Sequence, residues 1–171
     1  MNTVPSGYGA FDGDMPSLYS AAVGALGICI VYQVKRPVVT GVVLGGTSAE
    51  PAVEQVFELK SGSTAVAEQI NDLVRALRSK LAGASIDRCV VKVADQSPKP
   101  SKLQAPRTRL MIEGALVFGC RDQGIVDIRI MNGRDIGLAL GCSKDAAVKA
   151  GGDLAEKHAG ACSAALAALG G

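Results

Sequence analysis

The sequence predicts an α/β fold, a mixed five-stranded sheet with helices on both faces. Three observations predict it. Val/Ile-rich runs of strand length and amphipathic runs of helix length follow one another in the order β-β-β-α-β-α-β-α. Three strands in succession imply an antiparallel meander, and later strands separated by helices imply parallel additions by crossover. The composition agrees: of 171 residues, 48% are hydrophobic and only 20% charged, which excludes a disordered chain and suits one domain with a sizeable core. Aromatic residues are 4% with no Trp, so that core must be built from Val, Ile, Leu and Ala.

The elements follow in order. Residues 1–17 are rich in Gly, Pro and Asp without any period and read as an irregular N-terminal arm; a single domain spans 18–171. Ala21 to Val34 is apolar and nearly uncharged, but its 14 residues fall short of the ~20 of a spanning helix, and its Ile and Val content favours a buried central strand. No basic residue precedes Lys35, so the n-region of a signal peptide is missing. Two Val/Ile runs flank Lys35-Arg36-Pro37 and predict a hairpin with strands at 26–34 and 38–45; a third strand follows at 52–60. Ser63 or Thr64 caps a helix to Leu81, whose Val66, Ile70, Leu73, Val74, Leu77 and Leu81 form one apolar stripe. A buried strand is expected at 86–94, then a polar, proline-punctuated loop at 96–106. A helix at 108–120 is apolar on most sides and should be covered on more than one face. The alternation of Val126, Ile128 and Ile130 with Asp127 and Arg129 gives a half-buried strand at 125–131. A short turn at 144–149 and a last helix over 152–169 complete the chain.

Several chemistries are disfavoured. His158 is the one histidine, so a Ser-His-Asp triad could only be built around it and a zinc site would rest mainly on cysteines. The five cysteines are widely spaced with no C-x-x-C pair, and they read as reduced thiols packed as small hydrophobes in a cytoplasmic setting. His158 and Cys162 share a helix face, but spacing suggests no third ligand. Gly45-Gly46-Thr47-Ser48 follows a strand yet lacks the phosphate-loop spacing and reads as a turn.

Three stretches carry a resemblance. ICIVYQVKRPVVTGVVL resembles the opening hairpin of the ribonuclease H-like superfamily, in particular its Holliday-junction-resolvase branch. IDRCVVKVADQSPKPSKLQAPRTRLMIEGAL resembles that family's fourth strand, basic loop and following helix. KDAAVKAGGDLAEKHAGACSAALAAL resembles its last helical region. The family's chemistry uses two Mg²⁺ ions held by three or four carboxylates. The resemblance puts the first acid midway along the first strand, around Tyr32, although no Asp or Glu occurs between Met15 and Ala49. It puts the second near Lys92, Val93 and Ala94, with Asp95 one to three positions off. It puts the third near Cys162, with Asp153 and Glu156 about two turns earlier.

The sequence therefore reads as a ribonuclease H-like domain without its catalytic acids, acting as a nucleic-acid- or protein-binding module. No catalytic residue, metal ligand or cofactor is assigned. The net charge of +2 is mild, but the stretch from Gln96 to Ile112 holds no acid. Its Lys99, Lys102, Arg107 and Arg109 are the candidate nucleic-acid contacts, through phosphates. Two other readings stand beside this one. The first is a metal-dependent nuclease with relocated carboxylates such as Asp95, Glu113 and Asp153. The second is a structural or self-assembling subunit, favoured by the small residues of the last helix and by the apolar helix at 108–120. The expected partners are nucleic acid, a protein or a second copy, and no membrane.

Overall fold

In the computed structural model, residues 24–33, 36–95 and 104–171 are described. Five strands form one sheet: β1 (Ala25–Gln33), β2 (Arg36–Gly46), β3 (Pro51–Lys60), β4 (Arg88–Lys92) and β5 (Asp127–Met131). Their spatial order is β3-β2-β1-β4-β5. The β1–β2 and β2–β3 pairs are antiparallel, whereas β1–β4 and β4–β5 are parallel. The meander and the two crossover additions are thus as the sequence predicts.

Strand alternation divides the core into two layers. Leu26, Ile28 and Ile30 of β1, with Cys89 and Val91 of β4, face α1 (Val66–Leu81) and α2 (Gln104–Asp122). There they meet Leu73, Leu77 and Leu81 of the α1 stripe and Ile112, Leu116 and Cys120 of α2. Ala25 and Cys29 of β1, with Val90 of β4, face the other way, toward a helical layer made of α3 (Gly133–Ala139), α4 (Lys144–Leu154) and α5 (Ala159–Leu169).

The α5 contact with β1 is unusually close because both sides are small. Gly27 carries no side chain, and a Cβ there would fall inside 3.0 Å of the Ala161 carbonyl oxygen and of the Ala165 amide nitrogen and Cα. Ala161, Cys162, Ser163, Ala164 and Ala165 are all buried. The small-residue face of this helix is therefore an internal packing surface. At the far end of α5, the Arg129 guanidinium donates to the Ala167 and Ala168 carbonyls at 2.9 and 3.2 Å, satisfying two acceptors left open by the helix end.

Four local expectations are corrected. The helix starting at Thr108 begins instead at Gln104, because Pro106 in a first turn removes no intrahelical hydrogen bond. Among the described residues its covering is one-sided: Ile112 and Leu116 are buried, while Leu110, Met111 and Phe118 are exposed. The turn at 144–149 is an eleven-residue helix, capped by the Ser143 hydroxyl, which accepts from the Ala146 amide. The last helix is broken: α4 stops at Leu154, Ala155 leaves helical geometry (φ −146°, ψ 80°), and a single 3-10 turn at Glu156–His158 leads into α5. The helix α3 is additional, and its start is a reciprocal cap. The Asn132 side chain accepts from the Arg134 and Asp135 amides, while the Asp135 carboxylate accepts from the Asn132 amide.

Candidate functional site

The fold brings β1, the end of β4 and the start of α5 to one place. In the β1–β4 pair Cys29 stands opposite Lys92, which ends β4. Both belong to the side of the sheet that faces α5, since they alternate in step with Ala25 and Val90. Gly160, in the first turn of α5, closes the group. A Cβ on Gly160 would lie 3.3 Å from Cys29 Sγ and 3.5 Å from Lys92 Nζ. Cys29 is fixed from the other strand as well, where the Thr40 hydroxyl donates to its carbonyl at 3.1 Å.

This geometry corrects the placement expected from the resemblance. The midpoint of β1 is Cys29, three residues before Tyr32. Tyr32 alternates with Leu26, Ile28 and Ile30, so it belongs to the α1/α2 side and cannot share a site with α5. The residue of α5 that faces both Cys29 and Lys92 is Gly160; Cys162, two positions on, is fully buried in the helical layer. The second position stays at the end of β4, where Lys92 stands.

Electrostatics fixes the character of the group. Burial pushes the Cys29 thiol up from its ordinary range, against the opposing fields of Lys92 and Arg109. Cys29 is therefore a neutral thiol near pH 7. Lys92 is half-buried and, among the described residues, no carboxylate pairs with it. The nearby acids are committed elsewhere. Glu113, only 4% exposed, pairs with Arg109 one turn before it at 2.7 Å. Asp95 pairs with Lys144 and accepts from the Gly133 amide at 3.2 Å, and the Lys144 ammonium holds its carboxyl below the usual range.

Lys99 and Lys102 lie outside the described residues. Arg107 is exposed in the first turn of α2, and Arg109 is engaged by Glu113. The acids Asp95, Glu113 and Asp153 are not brought together. Glu113 lies on α2, on one side of the sheet, whereas Asp153 lies exposed on α4, on the other. Among the described residues no three His, Cys, Asp or Glu side chains form a group that could hold a metal ion. The cysteines are free, with Cys29, Cys89, Cys120 and Cys162 buried and Cys142 exposed. Burial pushes Cys162 up to about 11.

The Mg²⁺ that the fold family uses does not fit the residues at this place. A hard divalent cation takes oxygen ligands. Here it would meet an ammonium, a neutral thiol and a glycine.

No helix among the described residues is long and apolar enough to cross a membrane. No protein-family model matches the chain, and no curated protein matches it. Solved structures do. The Thermus thermophilus RuvC bound to a Holliday junction substrate superposes with a TM-score of 0.63 at 14% identity, covering 85% of this chain and 91% of that one. A second T. thermophilus RuvC structure gives 0.60 at 14% identity, over 85% and 92%. The strand order, the two helical layers and this likeness together give the chain a ribonuclease H-like fold of the RuvC type.

Proposed function

We propose that this chain is a nucleic-acid-binding module on a resolvase-type scaffold, which engages branched DNA without cutting it. The observation that carries this reading is the meeting of Cys29, Lys92 and Gly160 at the juncture of β1, β4 and α5. The resemblance puts one of its metal-binding acids near Lys92, and a cation stands there instead. Binding would draw on Lys92 and on the acid-free stretch that contains Lys99, Lys102 and Arg107. The likeness to a protein solved with a Holliday junction motivates the choice of probe.

The test is fluorescence anisotropy with a labelled synthetic four-way DNA junction at several KCl concentrations, paired with a gel assay for strand cleavage. Neutralising three or four phosphates gives a log–log salt slope of about −3. No magnesium- or manganese-dependent cleavage is expected. Cleavage of the junction in Mg²⁺ would overturn the non-catalytic part of the reading, and affinity indifferent to salt would overturn phosphate binding.

A second reading has its own observation. Leu110, Met111 and Phe118 are 67%, 49% and 64% exposed on the outer face of α2, an apolar stripe suited to a protein contact. Sedimentation velocity of the wild type and of Phe118→Glu tests it. A dimer that the substitution dissociates supports self-association, whereas a monomer in both removes this reading.

A further inference from the structure

The geometry points to Lys92 as a resident cation that receives a non-bridging oxygen of a DNA backbone phosphodiester, at the strand end where the resemblance puts one of its acids. This deepens the proposed function and rests on it. Three observations converge on Lys92. Its side chain is half-buried and lacks a carboxylate partner among the described residues, although Arg109 and Lys144 each pair with an acid. Two neighbouring cations are already paired, Arg109 with Glu113 and Lys144 with Asp95, whereas Lys92 at the β1–β4–α5 juncture forms no such ion pair among the described residues. A lysine with no ion-pair partner among the described residues, its Nζ beside the bare Gly160, leaves a place for an anionic partner.

The walls suit such a partner. Gly160 contributes no side chain, and the Cβ of any other residue would stand 3.5 Å from the ammonium, in the space an incoming oxygen needs. Cys29, below it, brings no negative charge that would compete for Lys92 or repel a phosphate. The lysine is anchored by strand pairing opposite Cys29, so its stem is positioned by β-sheet hydrogen bonding and not by a loop. A lysine is a point charge, satisfied by one phosphate oxygen without the fixed planar geometry that arginine demands. It binds the diester without polarising water, which fits engagement without cleavage.

The experiment compares wild type, Lys92→Gln, Lys92→Arg and Gly160→Ala with the labelled four-way junction over a KCl series, each variant first checked by thermal melting. Lys92→Gln is expected to weaken binding several-fold, to about tenfold, and to make the log–log salt slope shallower by about one. Lys92→Arg should keep the slope. Gly160→Ala should weaken binding while leaving every charge in place, and it carries the test if Lys92→Gln does not fold. If the wild type binds with salt dependence but Lys92→Gln and Gly160→Ala retain its affinity and slope, the Lys92 assignment is overturned and the binding function stands. If the wild type shows no salt-dependent binding to the junction, the function itself fails, and the assignment with it.

Discussion

Gly27→Ala should cost this domain a large share of its stability. A methyl group at position 27 points out of β1 into the backbone of α5, inside 3.0 Å of the Ala161 carbonyl oxygen and the Ala165 amide nitrogen and Cα. None of these atoms is the free end of a side chain, so relief requires shifting α5 as a body. The helix is seated on β1, β2 and β4 through fully buried Ala161, Ala164, Ala165 and Ala168. Moving it opens those contacts, so the usual overpacking cost of about 1–3 kcal/mol is a lower bound. A loss of about 4 kcal/mol or more is expected, against the ~5–15 kcal/mol that a domain typically has. At about 2–4 °C per kcal/mol for a chain of this size, the melting temperature should fall by at least about 8 °C. Gly152→Ala in α4 is the matched control. Its Cβ would rest 3.6 Å from the Ala159 Cβ, an ordinary contact, and alanine is the better helix former, so no loss is expected. Urea unfolding of the two variants decides it: equal midpoints would mean that α5 does not sit on β1 as described.

The same close approach shows why the fold was legible in the sequence and the site only in part. Val/Ile runs give strands and the Val66–Leu81 stripe gives a helix, because both signals are local. α3 carried a local signal too, the reciprocal cap of Asn132 and Asp135, but its seven residues are too few to show an apolar stripe. The break at Ala155 has no local cause in the chain. It lies where α4 and α5 pack on one another, with Gly151 against Ala159 and Ser163. The site depends on such tertiary facts. Lys92 ends β4, two residues before the strand end that the Val-rich run suggests. Whether Cys29 or Tyr32 faced it depended on which side of β1 the last helix covers, and a one-residue change of parity reverses that. Gly160, having no side chain, carries no chemical signal at all until α5 is laid against Cys29 and Lys92.

Putting carboxylates at these three positions should create a metal site that the wild type lacks. In the variant Cys29→Asp, Lys92→Glu, Gly160→Asp, the acids project from neighbouring points on β1, β4 and α5. The first two positions are directly opposed in a parallel strand pair, and the third points its Cβ at both side chains. An aspartate in the first turn of α5 also suits the positive end of that helix. Without metal the three like charges repel, and the variant should melt below the wild type. With Mn²⁺ at about 100 times its dissociation constant, linkage adds about 2.7 kcal/mol. That corresponds to a rise of about 5–11 °C in melting temperature for a chain of this size. The wild type, which offers a cation an ammonium and a neutral thiol, should show no shift between EDTA and Mn²⁺. Thermal melting in both conditions, with the Lys92→Glu single variant as intermediate, separates the cases. A folded triple variant whose melting temperature ignores Mn²⁺ would mean that Cys29, Lys92 and Gly160 do not converge. A manganese-dependent rise confined to the triple variant would mean that what divides this chain from a metal-binding member of its fold is the identity of three side chains and not their placement.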